Sequence, residues 1–283
     1  MRPAPMLLAC LTLLLAACGG PTPSQVAQPS KSPTSGPSPA SSPSPSPVPP
    51  SATPPSPART SGSPRASSAP KTHVGPGGSF MMTGTPGVAL TFDDGPYPEN
   101  TPQILDLLRS NGIKATFCVL GRNAHTYPDL IRRIHNEGHT FCNHTWRHDM
   151  ELRNRDEGAI RDDLSATINA IREAAPEAKV PYFRAPGGYF DNKLVRIAAD
   201  MGMTSIYWHV DPRDWDVNKY GRGQTMVDHI VSTVKQNARP GSIVLSHDNL
   251  KPDTVTAYKT LIPWLKARFT LIALPPEGQL VRA

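Results

Sequence analysis

The sequence predicts an α/β fold, a distorted (β/α)7-type barrel of parallel strands forming a single domain, and three observations carry that prediction. Seven short apolar runs recur between residues 88 and 274, separated by stretches of helical periodicity. Several runs are apolar at consecutive positions, as strands covered on both faces are. The unusual polar clusters fall at the carboxyl ends of these runs, where such a barrel places its chemistry.

The runs are VALTF (88–92), KATFCVL (114–120), HTFCN (139–143), PYFRAP (181–186), TSIYWHV (204–210), GSIVLSH (241–247) and FTLIAL (269–274). Helices are predicted over 101–112, with Thr101 as cap and Gly112 as stop, and over 128–138, 158–176, 191–202 and 225–241. A last one over 256–268 is weakened by Pro263, which removes a donor and crowds the preceding turn.

Ahead of the first strand the composition changes. Residues 21–70 hold 16 of the 33 prolines, no aromatic residue and no acid, so they have nothing with which to build a core. Such a segment reads as an extended spacer, reaching up to about 150 Å at roughly 3.1 Å per residue. Five of the 29 Lys and Arg lie in residues 1–72, so the remaining 24 stand against 23 acids and the net charge of +6 belongs to the leader and spacer. A nucleic-acid-binding domain would carry its basic excess in the folded part, and that class is set aside. The first residues, MRPAPMLLACLTLLLAACGG, have the order of a signal peptide: Arg2, an apolar run too short to span a bilayer, then small residues. The segment ending at Cys18 resembles the lipobox of bacterial lipoproteins, which implies a signal peptide over 1–17 and lipidation of Cys18. A linker then occupies 18–75 and the catalytic domain 76–283. The expected location is outside the cell, lipid-anchored to the bacterial membrane and facing the wall or periplasm.

Asp93 and Asp94 end the first run, just before Gly95-Pro96. Successive strand residues point to opposite faces, so the pair must lie where the strand is already turning, each carboxylate aimed at a different partner. Their repulsion calls for a cation or an arginine nearby. His144 and His148 have the i, i+4 spacing by which one helical turn can present two imidazoles to a metal. With a carboxylate from the first strand they make a two-His, one-carboxylate set suited to a catalytic divalent ion. His135 and His139 share that spacing but are separated by Gly138, and read as surface or structural histidines. Arg184, Asp214, Trp215 and His247 are ordinary taken singly: an ion-pair arginine, a turn acid, a core tryptophan, a core histidine. Cys118 and Cys142 on neighbouring strands are open to three states: free thiols, a disulfide or extra metal ligands. Buried free thiols are favoured, because adjacent parallel strands rarely offer bridge geometry.

Taken together and in order, TFDDGP (91–96), HTWRH (144–148), RAPGG (184–188), DPRDW (211–215) and LSH (245–247) resemble the five motifs of the polysaccharide deacetylases, carbohydrate esterase family 4. The resemblance spans roughly residues 85–275. It implies that Asp94, His144 and His148 hold Zn2+, Co2+ or Ni2+. Asp93 is then the general base, kept in place by Arg184, and His247 the general acid, oriented by Asp214. It also implies that the backbone N–H of Gly187 meets the oxyanion, while Trp215 and Leu245 form a slot for the acetyl methyl. Many relatives carry Tyr at the position of Gly187, so a side-chain wall is absent from this loop and substrate fit is affected.

The implied activity is metal-dependent removal of N-acetyl groups from β-1,4-linked N-acetylhexosamine polymers, peptidoglycan first because leader and spacer point to the wall, then chitin-type oligosaccharides. The partners are the acetylated polysaccharide and, through the anchor, a membrane; the protein is expected to be a monomer. Alternatives of the same chemistry are an O-acetyl xylan esterase or an exopolysaccharide deacetylase. An alternative of another class is a wall-binding module without turnover.

Overall fold

The structure, a computed structural model, describes residues 74–281; the leader, Cys18 and the spacer up to residue 73 lie outside them. Seven strands form one parallel sheet: β1 (Val88–Asp93), β2 (Thr116–Val119), β3 (Thr140–Asn143), β4 (Tyr182–Phe183), β5 (Thr204–Ser205), β6 (Ile243–His247) and β7 (Leu271–Ile272). Their order is β5-β4-β3-β2-β1-β6, with β7 beside the first two residues of β1. The sheet curls, and its two margins approach where Val210 bridges Val244 in parallel and Val210 O accepts from Leu245 N.

The helices are α1 (Thr101–Ser110), α2 (Gly121–Thr126), α3 (Pro128–Asn136), α4 (Glu157–Ala174), α5 (Asn192–Asp200), α6 (Val217–Tyr220), α7 (Gln224–Asn237) and α8 (Pro252–Lys266). Asp156 caps α4 by accepting from Ala159 N, and Asp191 caps α5 by accepting from Leu194 N. Buried Ile160, Leu164, Ala170, Ile171 and Ala174 form the inward stripe of α4. Helix α8 runs unbroken through Pro263. An interior proline costs about 3 kcal/mol, but Val255, Tyr258, Leu261, Ile262 and Leu265 are all buried, and each such side chain contributes about 1.5–3 kcal/mol. No helix among the described residues is long and apolar enough to cross a membrane.

Three expectations about elements need correction. Thr101 does not cap α1: the cap position is Asn100, while the Thr101 hydroxyl accepts from Tyr97 N and donates to Asp248. The fourth, fifth and seventh strands shrink to two residues each, and for the first two of these the causes are local. Pro181 and Pro186 flank one of them, and beyond the other Tyr207 N donates to Phe80 O instead of extending a ladder. Cys118 and Cys142 are joined as a disulfide rather than free, because they are direct register partners on β2 and β3 with Cα atoms 4.1 Å apart.

Strand alternation places the site. Val88, Leu90 and Phe92 pack outward into the main core between sheet and helices, whereas Ala89 belongs to a smaller inner cluster with Cys118, Cys142, Tyr182, Ile206, Ile243 and Leu274. Thr91 and Asp93 continue the Ala89 row, and Leu245 and His247 continue the Ile243 row. Register then sets Asp93 opposite His247 on one side and Cys118 on the other. One layer at the carboxyl end of the barrel thus holds an acid, an imidazole and the disulfide.

Candidate active site

Asp93 is the last residue of β1, 3 % exposed, and its Oδ1 accepts from Arg184 Nη1 at 2.7 Å. The same nitrogen donates to Thr91 Oγ1, one inner position earlier, and Nη2 donates to the Tyr207 carbonyl. Arg184 is fully buried. A buried guanidinium is tolerated here because both terminal nitrogens have acceptors, though Nε has none, and it keeps a carboxylate beside it.

Asp94 leaves the strand in the left-handed region, with φ 73°. That turn separates its carboxylate from that of Asp93 and brings it to two imidazoles: Oδ1 lies 3.4 Å from His144 Nε2 and 3.5 Å from His148 Nε2. The loop bends back on itself at Gly95, where a Cβ would stand 2.3 Å from Asp248 Oδ1, so only glycine fits. Burial works against a charge on Asp94, but the neighbouring His144, His247 and His148 outweigh it and hold the carboxyl far below its ordinary range.

The two histidines are not presented by a helix, contrary to the reading of their spacing. They occupy an irregular loop after β3 in which Thr145 and His148 have φ 70° and 62°. That loop is fixed locally: Asn143 Oδ1 accepts from Thr145 N, Thr145 Oγ1 from Asp149 N, and Asp163 from Trp146 N. His144 Nδ1 donates to the Arg184 carbonyl at 2.7 Å, which leaves Nε2 with its lone pair toward Asp94. Burial opposes a proton on His144 but Asp93 and Asp94 raise its pKa, whereas burial and the adjacent His144 lower that of His148.

A divalent metal fits this set. Asp94 Oδ1 is buried without a hydrogen-bond partner, and one ligand atom from each of Asp94, His144 and His148 falls within 4.8 Å of the others. Donors around one tetrahedral ion at 2.0–2.1 Å are separated by about 3.3 Å, close to the spacing of both histidines from Asp94.

Across the layer, His247 Nδ1 donates to Asp214 Oδ1 at 2.7 Å. The other carboxylate oxygen accepts from His247 N and from Thr254 Oγ1. Burial disfavours charge on His247, but the Asp214 carboxylate more than compensates and pushes its pKa up to about 9. Asp214 is correspondingly lowered, its burial outweighed by His247.

Asp93, Asp94, His144, His148, Gly187, Trp215, Leu245 and His247 line one cavity of about 560 Å³. Arg184 and Asp214 stand behind it, buried, and reach it through Asp93 and His247. Beside Gly187 the wall is rebuilt by other residues: a Cβ there would meet Met150 Cε at 2.6 Å and Tyr189 Cε2 at 3.2 Å. His139, of the other i, i+4 pair, is buried and accepts from Ala115 N, as a structural imidazole does. Thr254, the Tyr207 carbonyl and the Thr101–Asp248 pair support the site without any motif of their own, and Thr91, though it opens the first motif, does so by its bond to Arg184. Only their long-range register discloses them.

With this geometry in place, similarity to known proteins becomes informative. The family profile described as polysaccharide deacetylase matches residues 81–206. A chitooligosaccharide deacetylase of Sinorhizobium fredii is 41 % identical over 209 residues, covering 69 % of this chain and 93 % of its own. A solved peptidoglycan N-acetylglucosamine deacetylase is 33 % identical with a TM-score of 0.63, over 71 % of this chain and 91 % of that one. A Bacillus anthracis protein described as a pseudoenzyme of carbohydrate esterase family 4 is 28 % identical with a TM-score of 0.62, over 72 % and 70 %.

Proposed function

Because this chain belongs to the polysaccharide deacetylase family, we propose that it is a metal-dependent hydrolase removing N-acetyl groups from β-1,4-linked N-acetylhexosamine polymers, with peptidoglycan as its leading substrate. The observation that carries the reading is the side-by-side placement of Asp93, held by Arg184, and His247, held by Asp214, lining one cavity beside a metal-ligand set.

In this mechanism Asp94, His144 and His148 hold a divalent ion, Zn2+ or else Co2+ or Ni2+, which when bound acidifies water and polarises an acetyl carbonyl. Asp93 takes the proton of the attacking water on Oδ2, since Oδ1 is engaged by Arg184. The Gly187 N–H meets the oxyanion that develops on the carbonyl carbon's substituent oxygen. His247, charged at neutral pH, gives its proton from Nε2 to the departing amine nitrogen as the C–N bond breaks. Acetate and a free amino sugar leave, and the two protonation changes cancel when Asp93 returns its proton to His247 through solvent. Leu245, 3 % exposed, and Trp215 at the rim bound the space for the acetyl methyl.

Leader, Cys18 and spacer support a finer reading: an exported enzyme tethered to a membrane by acyl chains on Cys18 and reaching the wall on its proline-rich linker. Cys18→Ser is expected to move the protein from the membrane to the soluble fraction; unchanged fractionation overturns the anchor. The activity is tested by incubating the protein with chitooligosaccharides, peptidoglycan fragments and acetylated xylan and measuring acetate. Release from xylan alone supports the esterase alternative, and release from none supports a wall-binding module. The intact base, ligand set and acid favour turnover.

A further inference from the structure

Two arginines stand at the mouth of the cavity, each over an exposed aromatic ring, and the reaction uses neither. Arg153 Cζ lies 4.9 Å from the ring centre of Tyr189, and Arg213 Cζ lies 5.3 Å from that of Trp215. Both rings are 44 % exposed. Among the described residues Val74, Met150, Tyr189, Trp215, Leu250 and Val281 are the large apolar side chains exposed to solvent, and Met150, Tyr189 and Trp215 all line this cavity. Apolar surface gathered at one rim marks a binding face.

The guanidinium groups are available for a ligand. Arg153 makes no ion pair among the described residues. The carboxylate nearest Arg213 is that of Asp216, 3.8 Å away and too far for a hydrogen bond. Arg213 has a left-handed backbone, φ 52°, held by its own N–H donating to Asp211 Oδ1. Such conformations persist where the surrounding structure enforces them, commonly at functional sites. Arg213 lines the cavity beside Trp215, together with Asp93, Asp94 and Asp211, and Arg153 stands over Tyr189 at its edge.

We infer that this mouth recognises negative charge on the sugars flanking the reacting acetyl group, through Arg153 and Arg213. The preferred polymer is then an acidic amino-sugar chain over a neutral chitin-type chain: a peptidoglycan strand, whose alternate sugars carry an ether-linked carboxylate where they are free of peptide, and peptide carboxylates where they are not. A guanidinium fork matches a carboxylate bidentately, and the aromatic ring beneath it limits its wandering while offering an apolar face to a pyranose. The inference rests on the deacetylase reading and adds which residues make the site favour an acidic polymer.

The test measures acetate release from a neutral N-acetylated chitotetraose and from a peptidoglycan-derived tetrasaccharide, using the full chain. Wild type, the double variant Arg153→Gln/Arg213→Gln and the charge-retaining Arg153→Lys/Arg213→Lys are compared at low and high salt. Both substrates are measured on each preparation, so the ratio of their kcat/KM values is insensitive to partial misfolding. The ratio of acidic to neutral substrate should fall about five- to ten-fold in the Gln pair, through KM for the acidic one. It should recover in the Lys pair and fall in wild type at high salt. A ratio that the Gln pair leaves unmoved overturns this inference alone. No acetate from either substrate with wild type overturns the deacetylase reading and this inference with it.

Discussion

Arg184 donates from Nη1 to Asp93 Oδ1 over 2.7 Å, while the carbonyl of the same residue accepts from His144 Nδ1 at 2.7 Å. One residue therefore orients the proposed base with its side chain and a proposed metal ligand with its backbone. Neither member of the ion pair is more than 4 % exposed. Arg184→Gln leaves a carboxylate buried without its cation, a loss of about 3–5 kcal/mol, and differential scanning calorimetry should show the midpoint falling by about 10 °C. Arg184→Lys keeps the charge but cannot serve Thr91, Asp93 and the Tyr207 carbonyl together, so it should restore only part of the stability. An unchanged midpoint in the Gln variant means the pair is not the anchor described.

The Asp214–His247 pair sets an alkaline limit. His247 must be protonated to act as an acid, and its pKa is raised to about 9, with Asp214 the main cause opposing burial. Activity should therefore hold below that value and fall as the pH rises through it. Asp214→Asn removes the raising charge, so the alkaline limb of the kcat/KM profile should move to lower pH. A limb that stays in place in this variant excludes His247 as the group titrating there.

His148, a proposed ligand, does little structural work, its side chain one-third exposed on an irregular loop. His148→Ala should fold with a near-normal melting midpoint yet lose metal and acetate release together. Stoichiometric metal in the purified variant, measured by mass spectrometry of the element, removes His148 from the coordination set.

Much of this site was legible because its residues sit at strand ends in local motifs. The apolar run 88–92 announced a covered strand, and its end placed Asp93 and Asp94 at the barrel mouth, as found. The His144/His148 spacing pointed to two rings that do come together, though not by the expected route. A helical turn was expected, and two left-handed residues in a loop bring the rings together instead. Thr254, Thr91 and Asp248 could not be read, since each meets its partner across a separation of 40, 93 and 147 residues respectively. The shortness of β4 was missed although Pro181 and Pro186 on either side signalled it.

The Cys118–Cys142 bridge was also misjudged, because register cannot be seen in a sequence whose strands are identified only by composition. It closes a loop of 24 residues in the same layer as Asp93. Closing such a loop restricts the unfolded chain, worth about 3 kcal/mol. Adding reductant, or making Cys118→Ala/Cys142→Ala, should lower the melting midpoint by about 10 °C. Equal midpoints with and without reductant would show that the thiols are free in solution.

The central claim is that Asp93 draws a proton from water beside a metal held by Asp94, His144 and His148, to release acetate from an amino sugar. Its most direct test is mass spectrometry of N-acetylated chitooligosaccharide and peptidoglycan fragments treated with wild type, wild type plus chelator, and Asp93→Asn, with bound metal measured in each protein. The account predicts loss of acetyl groups with wild type only, and an Asp93→Asn protein that retains its metal while acetate release falls about 10²–10⁴-fold. Near-wild-type release by metal-loaded Asp93→Asn, or full activity in chelator, would contradict it.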